Sequence, residues 1–115
     1  MPLNDALLNI GAAAMQGAAT HLQIHTAIPD AAGSNEATSA RQPITWEAAA
    51  NGDMIALVDL PFTGGAASGP ATHVGFWSAL TVGTFYGWLP TTGDQAFNAA
   101  GEYTVTGISI PGTAT

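Results

Sequence analysis

Three histidines and eight carboxylates are the groups in this chain that can bind metal or move protons. His21 and His25 are four residues apart, so they share a side on a strand or a helix. Two imidazoles on one side begin a zinc or copper site, with His73 or a carboxylate as the third ligand. The simpler alternative is two half-exposed histidines on the solvent side of an edge strand. Asp30, Asn35 and Glu36 set three oxygen donors around Gly33. That pattern serves calcium, or plain turn and capping chemistry, and EF-hand spacing is absent. No spacing singles out a glycosidase pair among the carboxylates. No hydroxyl sits in a G-x-S-x-G nucleophile motif. Walker and dinucleotide fingerprints are missing, and zero cysteines exclude disulfides, Cys-ligated zinc and a thiol nucleophile. No catalytic residue, cofactor or metal ligand is assigned.

Arg41 is the only basic residue, against Asp5, Asp30, Glu36, Glu47, Asp53, Asp59, Asp94 and Glu102. A lone arginine five residues from Glu36 predicts an ion pair that closes the 29–41 loop, since its planar fork suits a carboxylate. Recognition of an acidic ligand is the alternative. Trp46, Trp77 and Trp88 are rich in indole for 115 residues. Core packing is the plain reading. Trp77, Trp88 and Tyr86 are nonetheless candidate interface or ligand contacts, because the strand faces opposite the two tryptophans are already apolar.

Composition removes whole classes. Net charge is −7 and 8% of residues are charged, against roughly 25% in an ordinary domain. Nucleic-acid binding needs clustered Lys and Arg, and an anionic membrane repels this chain. A 47% hydrophobic content argues against disorder. No apolar run reaches the roughly 18 residues of a membrane span. The first charge is Asp5, so no secretory signal is expected. Alanine and glycine supply 37 residues and threonine 14, a low-entropy surface that loses little freedom in fixed contacts.

The elements that position these groups follow from periodicity. Residues 4–16 predict a helix with Asn4 as N-cap, Asp5 in the first turn and Gly17 as the stop. Leu3, Leu7, Ile10 and Ala14 form its apolar face, flanked by Leu8 and Met15, with Asp5, Asn9 and Gln16 opposite. From residue 20 the period becomes 2. Strands are expected over 20–28, around Ile44–Trp46, over 54–60 (a central strand), 73–78, 84–89 and 102–110, with 95–98 as a seventh. Phe85 and Leu89 should oppose Tyr86 and Trp88. Gly107 marks a phase change and a predicted β-bulge. Asn51-Gly52 predicts a hairpin turn, and 63–71 an exposed loop. The expected fold is one mainly β domain over 1–115: an antiparallel β-sandwich of six to seven short strands at 20–110 with one N-terminal helix at 4–16.

The run THLQIHTAIPDAAGSNEATSARQPITW (20–46) resembles a signature of small structural proteins of tailed bacteriophages. Matching positions are Thr20, His21, His25, Thr26, Ala27 and Pro29, then Gly33, Asn35, Glu36, Ala40 and Arg41. ATHVGFWSA (71–79) and GTFYGWLPTT (83–92) resemble later segments. Ser39 stands where the family often has an aromatic. Such proteins are minor tail, tail-fibre-like or capsid decoration proteins. The resemblance implies a non-enzymatic virion component assembled in the host cytoplasm. Its partners would be copies of itself and a major capsid protein or tail proteins, with no nucleic acid and no membrane. A multi-copy capsid decoration role leads, because no fibre repeat or coiled coil is evident. A minor tail role and a carbohydrate- or receptor-binding module are the alternatives. The 63–71 loop, the helix's exposed face and the Trp77/Trp88 side are the expected contact surfaces, and the charge makes assembly sensitive to ionic strength.

Overall fold

A computed structural model describes residues 4–50, 52–56 and 59–110. One helix, α1 (Asp5–Ala18), precedes eight short strands. These are β1 (His21–His25), β2 (Gln42–Pro43), β3 (Met54–Ile55), β4 (Leu60–Phe62), β5 (His73–Trp77), β6 (Phe85–Pro90), β7 (Tyr103–Val105) and β8 (Ser109–Ile110). All pairings are antiparallel. A four-stranded sheet runs β2-β1-β5-β6, and β4-β7 and β3-β8 form two short ladders. The expected class, mainly β with an N-terminal helix, is the observed one.

One face of the sheet contributes Leu22, Ile24, Val74 and Phe76 to the core; the ladder side contributes Leu60, Phe62, Val105 and Ile108. Burying apolar side chains from both layers holds the sandwich together. Phe97 and Ala71 belong to the same core. Trp46 stacks on Phe76, and its indole N–H donates to the Ala19 carbonyl at 3.0 Å.

The eight strands exceed the expected count because two predicted strands divide. The 102–110 segment becomes β7 and β8, and the 54–60 segment becomes β3 and β4, with residues 57–58 outside the described residues. Val105 and Ile108 are both buried, so the phase change around Gly107 is real. The register shows where the irregularity lies. Ile55 pairs with Ser109 and Leu60 with Val105, so the extra residue falls on the 55–60 arm, opposite Gly107. Residues 95–98 form only a bridge, Ala96 to Pro70, and Trp46 likewise bridges to Ala56. The 63–71 loop is tied down along its length: Gly65 N, Ser68 N and Ala71 N donate to Gly101 O, Asn98 O and Gln95 O, and Thr38 Oγ1 donates to Gly64 O. Ala50 and Asp53 pair around Gly52 (φ 76°), as a hairpin turn requires; Asn51 lies outside the described residues.

The helix is correctly placed but differs in two respects. Asn4 caps it, accepting from Leu7 N at 2.9 Å. Gly17 does not stop it; helical backbone continues to Ala18. The docked face is also not the expected one. Leu7, Ile10 and Met15 are 50%, 67% and 51% exposed, whereas Ala12 is fully buried. Asn9 Oδ1 accepts from Gly52 N at 2.7 Å, and Gln16 Nε2 donates to Glu47 O at 2.9 Å. The side read as polar and outward-facing therefore anchors the helix, because its amides satisfy backbone groups of the neighbouring turn and strand. Leu3 lies outside the described residues.

Candidate functional site

The second face of the sheet carries His21, Gln23, His25, His73, Gly75 and Trp77. Residues 26–41 cover much of it. Within this segment Asp30 Oδ1 accepts from Ala32 N and Ser34 N, at 3.0 and 3.2 Å. These bonds, that from Ser34 first, hold the Asp30 carboxyl below its usual range. Asn35 (φ 64°) donates its side-chain amide to Ile28 O at 3.2 Å. Glu36 turns to Arg41. The three polar side chains around Gly33 thus serve separate local partners, Asp30 and Glu36 through their oxygens and Asn35 through its amide N–H, which is turn chemistry.

Arg41 is buried and joins two loops. Its Nε donates to Glu36 Oε1 at 2.9 Å. Its Nη1 donates to Ala79 O at 3.0 Å and Val82 O at 2.6 Å. Val82 has φ 57°, a left-handed conformation unfavourable for a β-branched residue. The guanidinium carbon lies 3.6 Å from the Trp77 ring centroid, a cation–π geometry. The carboxylate is held through one nitrogen, so the fork divides its donors between an acid and two carbonyls. Sequence spacing pointed to Glu36; nothing local pointed to the 79–82 carbonyls.

His25 lies beside the edge of Trp77, completely buried. The indole N–H can only donate, so His25 Nε2 accepts from Trp77 Nε1 at 3.3 Å. Nδ1 then carries the proton and donates to Ser34 O at 2.8 Å. Burial lowers the His25 pKa and outweighs the Ser34 carbonyl and Glu36, which raise it. Phe85 tilts against both rings, at 5.6 Å from His25 and 5.2 Å from Trp77. Gly75 and Gly33 leave the space these rings occupy; a Cβ at Gly33 would meet Trp77 and Phe85 at 2.5–2.8 Å. Ser39, in the place of an expected aromatic, is buried and bonds Gln23 through its hydroxyl and carbonyl.

Two expectations change here. β1 is an interior strand, so His25 is not a half-exposed edge histidine. Positions four apart on a strand are also roughly 13 Å apart, too far for one metal ion. Among the described residues no group of three His, Asp or Glu is placed to hold a metal. The aromatic contacts also separate. Trp77 is sealed under Arg41 and offers a partner nothing. Trp88 and Tyr86 stay accessible, at 40% and 54%. A register shift at Phe76/Trp77 puts Phe85 beside Trp77 while Leu89 pairs with core Val74, so Phe85 and Leu89 lie on opposite faces. Trp88 meets His73 edge-on at 4.9 Å, whereas Tyr86 lines an apolar groove beside α1. Trp77 and Trp88 form no common planar platform.

A model of the podophage GP4 fiber I protein gp80 family matches residues 3–111. The chain belongs to that family. No curated protein and no solved structure matches it. Membership in the fiber I family agrees with the resemblance of segments 20–46, 71–79 and 83–92 to small phage structural proteins. It makes the chain a phage structural protein of the fibre or tail kind, and it gives no specific support to capsid decoration. For a fiber I family member, the Arg41–His25–Trp77 assembly is a fastening that fixes two loops to one sheet face.

Proposed function

We propose that this protein is a non-enzymatic component of the fibre apparatus of a tailed phage, held in the particle by fixed contacts with other virion proteins. The family match over residues 3–111 carries this reading. It favours the tail and fibre alternative over the decoration role that the missing fibre repeats suggested. The architecture is compatible with it: short antiparallel strands, loops fastened to the sheet, and a surface rich in Ala, Gly and Thr. Such a surface orders little on binding, so contact area converts to affinity with small entropic loss. Quantitative mass spectrometry of purified virions, with immunogold labelling by antibodies to this chain, tests the assignment. Tens of copies or fewer per particle, with label on tail or fibres, are expected. Hundreds of copies with label spread over the head would overturn it in favour of decoration.

A further inference from the structure

The helix docks through its amides and turns its apolar stripe to solvent. Leu7, Ile10 and Met15 are all at least half exposed, and Ala14 and Gly11 lie between them. A groove of about 400 Å³ opens beside the C-terminal half of this stripe. Its walls include Met15, Ala18, Met54, Phe76, Tyr86 and Ile110. We propose that this face is a self-association surface, covered by α1 of a second copy of the chain packed antiparallel across it.

Three observations favour a second copy. The first is self-complementarity. The N-terminal half of the stripe presents two large side chains, Leu7 and Ile10, while the C-terminal half presents Ala14 and Ala18 beside the groove, with Met15 as one of its walls. An antiparallel two-fold brings each protrusion onto the other copy's groove, and the two contacts form together. The two halves are about eight residues apart, or roughly 12 Å along the helix, so both fit on one 14-residue helix. The second is charge. Residues 6–18 contain no ionisable side chain, on a molecule of net charge −7. Two copies can meet here without bringing carboxylates of the seam together, whereas a basic partner would be drawn elsewhere. The third is area. A strip roughly 20 Å long, with the groove beside it, gives a face on the order of 400–500 Å². Monomers rarely leave more apolar surface than this exposed, and a standard interface takes about 800 Å² per partner. The face therefore suits a weak, reversible dimer in the micromolar range, not an obligate one. This inference is independent of where in the virion the protein resides.

Sedimentation equilibrium of the full chain over about 1 µM to 1 mM tests it. Wild type should shift from the 11.6 kDa monomer toward twice that mass. Ile10→Asp should stay monomeric throughout, with an unchanged melting temperature because the residue is exposed. Ile10→Ala, which cannot harm the helix, should weaken association about tenfold. A wild type that remains monomeric at 1 mM overturns the proposal and leaves the face to a different partner. Undiminished association of Ile10→Asp and Ile10→Ala overturns it as well, by placing the contact elsewhere.

Discussion

Arg41→Met removes every donor of the buried guanidinium while keeping most of its stem volume. Its cost follows from the contacts. Ala79 O and Val82 O each lose a charged donor, at about 1 kcal/mol apiece after solvent competes for them. The cation over the Trp77 ring contributes about 1 kcal/mol more. The Glu36 carboxylate is one-third exposed, so its pairing adds at most about 1 kcal/mol. The expected loss is about 3–4 kcal/mol, or roughly 12–17 °C in melting temperature for a chain of this length. Glu36→Gln keeps an acceptor oxygen facing Arg41 Nε and should cost under about 1 kcal/mol. Thermal melts followed by circular dichroism measure both. An Arg41→Met melt within about 3 °C of wild type, or a Glu36→Gln loss of equal size, would show that the two carbonyls and the indole are not what the arginine holds.

Stability should also fall as the solution is acidified below the ordinary histidine range. His25 has a lowered pKa in the folded state, so its contribution is complete above the unfolded value of about 6.5 and diminishes as pH drops toward the folded value. Protonation would place a second N–H against the Trp77 donor. Melting temperatures from pH 8 to 5 should decline for wild type, and His25→Gln should flatten that decline; a wild-type profile level from 7.5 to 5.5 would contradict the buried neutral ring. Gly75→Ala should lower the urea midpoint by the equivalent of about 1–3 kcal/mol, because the new Cβ runs into the His25 imidazole and Phe85. Gly17→Ala has open space and should gain about 0.5 kcal/mol, since the position is helical and not a stop; a loss instead would return Gly17 to the role of terminator.

The sequence by itself determined what short-range physics controls. The Asn4 cap, the change from a helical to an alternating period after residue 20, and the turn around Gly52 are each set by residues within a few positions of one another. The proximity of Glu36 and Arg41 was legible for the same reason, and so was the phage signature. Tertiary structure decided what depends on distant neighbours. Periodicity reports which side of a helix is apolar, but not which side docks. That choice rested on unsatisfied groups at Gly52 and Glu47, far along the chain, which Asn9 and Gln16 could bond. The same holds for His25 and Trp77. Alternation put both on the non-core face of their strands. Only the return of residues 26–41 over that face, with Arg41 gripping the 79–82 turn, made it an interior. A local pattern measures contrast within one segment, whereas burial is conferred by whichever other segment comes to cover it.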